Sequence, residues 1–158
     1  MPSITPSLWF DDDLEEAAAF YTSVFPNSSI EKFNRYTEAG PGVPGGVVSG
    51  TFVLDGIRFI GINGGPSFAF TEAVSFTVHC ADQDEVDYYW HRLLDGGGEE
   101  SQCGWLKDRF GLSWQIVPGR LYELIDDPDP ARAAAATSAM LGMSKIVIVE
   151  LEAAVAGA

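Results

Sequence analysis

Three observations predict an α+β fold built from two βαβββ modules. Two stretches carry the same helix-start chemistry and the same apolar stripe. Each follows a short strand-like run, and each precedes three more strand candidates. A single shift maps Asp13 on Asp82, Glu16 on Glu85 and Tyr21 on Trp90, as expected of an internal duplication. Such modules give an antiparallel-rich sheet with helices over one face.

In the first half, Ser7–Phe10 is a strand candidate. Asp13 followed by Glu16 resembles a capping box. Leu14, Ala17, Ala18, Tyr21, Val24 and Phe25 then fall at helical spacing, and Pro26-Asn27 ends the run. Strands are expected over Ile30–Thr37, Val47–Leu54 and Ile57–Ile62, with Asp55-Gly56 as a tight hairpin turn. The Gly-Pro-rich 40–46 segment reads as a loop, since it does not join a strand to a helix as a phosphate cradle does. In the second half, Val74–Cys80 precedes the cap pair Asp82 and Glu85. The stripe Val86, Tyr89, Trp90, Leu93 and Leu94 follows, and Gly96-Gly97-Gly98 stops it. Strands are expected over Glu99–Cys103, Trp105–Asp108 and Leu112–Val117. The chain reads as a single domain, with modules at 1–66 and 72–118 and a C-terminal extension at 119–158. In that extension Asp129 and Pro130 are suitable start chemistry for a helix to Leu141. Lys145–Val149 is a strand candidate, with a short helix after it.

The chain has 158 residues, enough for a real core, and 46% of them are hydrophobic. Nine basic against 23 acidic side chains give a net charge of −14, which disfavours nucleic acid and anionic lipid as partners. No apolar run approaches the roughly 20 residues of a membrane span. No secretory signal is visible, and Cys80 and Cys103 form no CxxC, so a cytoplasmic location is expected.

The motifs D-L-E-E-A-A-A-F-Y at 13–21, A-V-S-F-T-V at 73–78, D-E-V-D-Y-Y-W at 84–90 and C-G-W-L-K-D-R-F-G-L-S-W-Q-I-V-P at 103–118 carry a resemblance. Together they resemble the PhnB-like family, also labelled 3-demethylubiquinone methyltransferase-like, of the vicinal oxygen chelate (glyoxalase/bleomycin-resistance/dioxygenase) superfamily. The resemblance implies sheets curled around a cavity, and a homodimer. The methyltransferase label is not expected to hold literally. The Gly-rich turn after a first strand, with its acidic ribose partner, is missing from this sequence, as is an alternating parallel topology.

Metal-dependent members of that superfamily take His, Gln or Glu ligands from the first and last strands of each module. Here Thr5 and Ala73 fall at the early positions, and Gly61 and Gln115 at the late ones. A register one residue away brings Ile4 or Pro6, and Glu72 or Val74, instead. Only Gln115 is a donor in the first register, and one neutral amide does not hold a divalent ion against water. No metal and no cofactor are therefore expected.

Strand alternation sends Phe76 and Val78 toward the helix and Ser75, Thr77 and His79 the other way. Trp9, Phe59, Ser113 and Gln115 are expected to share that cavity-facing side, with Trp105 beside them. Mostly apolar walls with a few hydrogen-bonders suit a small-molecule site. The same aromatics filling a closed core is the competing reading. His79 is the candidate acid–base residue, because histidine is the side chain suited to proton transfer near neutral pH. A lone histidine is more often a hydrogen-bonded wall residue. His91 reads as a solvated surface residue and Glu99-Glu100 as a solvated pair. Cys103 reads as a small buried residue, Lys107 being the one nearby charge that would lower its pKa. The expected function is metal-free binding of a small hydrophobic or aromatic molecule, for sequestration, resistance or sensing. The alternative is a glyoxalase- or dioxygenase-like enzyme using His79 or Gln115, with or without a metal.

Overall fold

Burial alternates along Ser7–Phe10 (β1): Leu8 and Phe10 are buried while Trp9 is half-exposed. One face of the strand therefore meets a helix and the other does not. The computed structural model describes residues 1–158, and the chain divides into two units, Met1–Phe70 and Thr71–Ala158.

In the first unit β1 leads to a helix over Leu14–Val24 (α1). Strands Ser29–Arg35 (β2), Val47–Leu54 (β3) and Ile57–Asn63 (β4) follow. The sheet order is β1-β4-β3-β2, with β1 and β4 parallel and the other pairs antiparallel. Asp55 and Gly56 both take positive φ, 45° and 79°, which suits the tight β3–β4 hairpin. Leu14, Ala17, Ala18, Tyr21 and Val24 bury the sheet-facing side of α1. The capping box expected at Asp13 does not form, and Asp13 makes no side-chain cap. Instead Asn63, at the end of β4, accepts from the Leu14 N–H at 3.1 Å and ties the helix start to the sheet.

The second unit repeats the plan with Ser75–Cys80 (β5), Gln83–Leu94 (α2), Glu99–Glu100 (β6), Trp105–Lys107 (β7) and Ser113–Pro118 (β8). Its order is β5-β8-β7-β6, again with only the first pair parallel. Here the capping chemistry is present. Asp82 Oδ1 accepts from the Glu85 N–H at 3.0 Å, and Glu85 Oε2 accepts from the Ala81 N–H at 2.7 Å.

Three expected boundaries change. The strand expected over Glu99–Cys103 stops at Glu100, and downstream Cys103 and Gly104 take φ of 58° and 84°, outside the extended region. A helix not anticipated, Gly119–Ile125 (α3), follows β8 directly. The strand expected over Lys145–Val149 is not formed. The Gln83 side chain takes its place as a partner, donating to Ile146 O at 3.0 Å and accepting from the Ile148 N–H at 2.8 Å. The chain then continues as a helix over Ile148–Ala156 (α5). The helix over Pro130–Leu141 (α4) starts as expected, with Asp129 accepting from the Ala131 N–H at 2.9 Å. The extension has its own core, in which Val117, Leu121, Leu124, Ile146 and Leu151 are buried. Its loop also accepts from the N–H groups of Cys103 and Gly104, through Met143 O and Ser144 O, both at 2.7 Å.

Candidate functional site

The pairing registers decide which side chains share a face. In the second unit Phe76 and Val78, half-buried, pair with the buried Trp114 and Ile116 on the side that packs against α2. Ser75 pairs with Ser113 and Thr77 with Gln115, so Ser75, Thr77, His79, Ser113 and Gln115 share the opposite, open face, as expected. Across β7, Trp105 pairs with Gln115 and Lys107 with Ser113, which brings both onto the same face. The Gln115 amide donates to Ser75 Oγ at 2.9 Å. Thr77 and His79 are exposed, and the His79 ring lies 6.1 Å from that of Tyr122. The α3–α5 extension covers one end of this face, since Val117, of the same parity, is buried in its core.

In the first unit Trp9 lies on the open face, as expected. Its indole donates to Gly65 O at 2.9 Å, and Phe68 meets it edge-on at 5.0 Å. Phe59 does not join it. Phe59 is buried and stacks on Phe52 at 5.6 Å, and Phe52 in turn lies 6.4 Å from Tyr21 of α1. It is a core residue on the helix face. The β1–β4 register is the reason: Ser7 pairs with Ile60 and Trp9 with Ile62, so Phe59 has the parity of Leu8 and Gly61 and lies on the face opposite Trp9.

The same correction moves the expected metal positions. Gly61 faces α1, where a Cβ would overlap Leu14. Ser7–Ile60 is the pair equivalent to Thr77–Gln115, so the counterpart of Gln115 is Ile60, a hydrocarbon. No three His, Cys, Asp or Glu side chains converge anywhere in the chain. One amide with hydroxyl neighbours does not fit the nitrogen and carboxylate donor set of a divalent metal.

A cleft of about 140 Å³ opens beside Trp105, lined by Glu72, Glu99, Ser101, Trp105, Lys107 and Ser113 among others. Lys107 Nζ pairs with Glu72 Oε1 at 2.6 Å. This bond holds the Lys107 ammonium above its ordinary pKa, with a smaller push from Glu99, and holds the Glu72 carboxyl below its own. Ser113 is 1% exposed and its hydroxyl has no hydrogen-bond partner. Three tryptophans donate their indole N–H inside the protein: Trp9 to Gly65 O, Trp90 to Glu100 Oε1 at 3.0 Å and Trp114 to Asp108 Oδ2 at 2.9 Å. The indole N–H of Trp105, half-exposed at the cleft, donates to no protein group.

The sequence reading missed Asp108. Only 3% exposed, it accepts from the Phe110 and Leu112 N–H groups at 2.8 and 3.1 Å and from Trp114. This carboxylate builds the β7–β8 turn and is structural. An Asp three residues before the turn glycine, Gly111, was its available signal. Glu100 likewise turns to the helix face, away from Glu99. Cys80 is buried, and desolvation, with Glu85 and Asp82 adding to it, pushes its thiol up to about 12. Cys103, expected to be buried, is half-buried, and Lys107, the one charge near it in sequence, is engaged by Glu72. His91 is exposed on α2, with Nδ1 2.7 Å from Asp87 O.

The family model described as 3-demethylubiquinone-9 3-methyltransferase matches residues 2–117. Among solved structures, the PhnB protein of Bacillus cereus is 37% identical with a TM-score of 0.68, over 75% of this chain and 100% of that one. Protein PA1353 of Pseudomonas aeruginosa is 16% identical with a TM-score of 0.62, over 75% and 98% of the two chains. The fosfomycin resistance protein FosX of Listeria monocytogenes is 18% identical with a TM-score of 0.58, over 77% and 94%. These last two are alike in fold. No curated protein matches the chain.

Proposed function

We propose, from the premise that this chain belongs to the PhnB-like family of the vicinal oxygen chelate superfamily, that it binds a small aromatic or apolar molecule without a metal. The ligand lies on the open face of the second sheet, against Trp105, Gln115, Ser75 and Thr77. The observation that carries this reading is the pair of unused donors there, the indole of Trp105 and the buried hydroxyl of Ser113. Buried polar groups are otherwise almost always partnered, so an orphan hydroxyl in a cleft marks a place where a partner arrives. Sequestration, resistance or sensing are the roles that follow. Trp9 lines the first sheet's open face on the same reading. A homodimer in a reducing compartment completes it: both cysteines are free, and no helix is long and apolar enough to cross a membrane.

The enzyme alternative has thinner support. His79 is exposed and meets the Tyr122 ring rather than a carboxylate or carbonyl that would orient its tautomer. Literal methyl transfer has no support in the residues. The turn after β1 is Asp11-Asp12-Asp13 rather than Gly-rich, and each sheet has a single parallel pair.

The test is a thermal-shift screen of aromatic small molecules in EDTA. Compounds that raise the melting temperature are expected, and Trp105→Ala and Gln115→Ala should abolish their effect. A screen with no stabiliser, or stabilisers indifferent to both substitutions, contradicts the reading.

A further inference from the structure

The charge around the cleft names the class of ligand. Glu72, Glu99 and Glu100 stand against the single ammonium of Lys107; Lys107 is already bound to Glu72 at 2.6 Å, and Glu100 accepts from the Trp90 indole at 3.0 Å. Glu99 faces Lys107 across β6 and β7 and forms no ion pair of its own. Two carboxylate charges are therefore left over, and of these Glu99's is the one on the face of Lys107 and Ser113. At the floor, the Ser113 hydroxyl is 1% exposed and unpartnered, with two lone pairs to offer. The wall is the indole of Trp105, whose ring attracts cations through its face. A carboxylate or phosphate ligand would meet a lysine that is already neutralised and a glutamate that repels it.

We infer, on the ligand-binding reading above, that this cleft takes a protonated amine carried on a small aromatic body. The ammonium donates to Glu99 and to Ser113 Oγ, and the ring lies against Trp105. At about 140 Å³ the cleft is smaller than the ~300 Å³ at the low end of drug-sized pockets, so it is a subsite for the amine-bearing end.

Benzylamine, benzyl alcohol and benzoate share one ring and differ in charge. The full chain is titrated with each at neutral pH, with binding read by saturation-transfer NMR and by the Trp105 indole resonance. Benzylamine is expected to bind about tenfold tighter than benzyl alcohol, with benzoate weakest. Glu99→Gln, at an exposed position that leaves the fold intact, should weaken benzylamine about fivefold and leave benzyl alcohol unchanged. Benzyl alcohol or benzoate binding as tightly as benzylamine overturns the amine assignment and leaves the open-face reading standing. Benzylamine binding that Glu99→Gln does not change also overturns it. If none of the three moves the Trp105 resonance, both the assignment and the reading beneath it fail.

Discussion

Asp108 is the residue on which the second sheet's last hairpin depends. Its carboxylate satisfies two backbone N–H groups and the Trp114 indole at once. Asp108→Ala leaves three donors in or beside the core without a partner. It should cost about 3 kcal/mol in urea unfolding, while Asp108→Asn, which keeps part of the acceptor set, costs less. A second prediction concerns the thiols. Cys80, buried and pushed up to about 12, stays protonated at neutral pH, whereas Cys103 is half-buried. A thiol-labelling time course should show Cys103 reacting in the native protein and Cys80 only after denaturation. At this scale Gln115, Ser75, Thr77 and Ser113 were readable from alternation alone, because β5 and β8 are regular along their length. Phe59 was not. Its face depends on the β1–β4 register, which pairs Trp9 with Ile62 and so turns Phe59 to the helix side. The orphan state of the Ser113 hydroxyl depends on what surrounds it in three dimensions, which no spacing records.

The two helix starts look alike in sequence and differ in use. In α2 the Asp82–Glu85 box is made; in α1 the Asn63 side chain serves instead of Asp13. Asp82→Ala should therefore cost about 1 kcal/mol of stability in urea unfolding. Asp13→Ala should cost a few tenths at most, because no cap bond is lost. Strands with clear alternation and turn residues were legible to within a residue or two, as β3 and β4 show around Asp55-Gly56. The C-terminal elements were less so. Lys145–Val149 has strand composition, but its backbone groups find partners in the Gln83 amide rather than in a neighbouring strand. The helix α3 is a short run whose apolar residues, Leu121 and Leu124, are buried only once α4 and α5 have folded beside it.

For the whole chain, the matched family region ends at residue 117, and the α3–α5 extension lies beyond it. An ion pair helps to hold that extension to α2: Lys145 Nζ lies 2.6 Å from Asp87 Oδ1. The bond from Lys145, and a second from Gln83, keep the Asp87 carboxyl below its ordinary pKa. A lowered folded-state pKa adds stability that is complete above the unfolded value, about pH 4, and is lost as the pH falls through the folded one. The melting-temperature gap between the native chain and Asp87→Asn should thus be widest at neutral pH and close in acid. A gap that widens on acidification would contradict the sign. The acidic surface, at −14, bears on solubility and on which ligands approach, and the fold itself is indifferent to it. On the proposed function, the open face of the second sheet holds an aromatic small molecule without a metal. The most direct measurement follows the four tryptophan indoles and the Gln115 amide by ¹⁵N NMR, in EDTA-treated protein, as the strongest stabiliser from the thermal screen is added. The Trp105 and Gln115 resonances should move together, while those of Trp90 and Trp114, bonded to Glu100 and Asp108, stay in place. Resonances that do not move, or that move at Trp90 and Trp114 but not at Trp105 and Gln115, would contradict it.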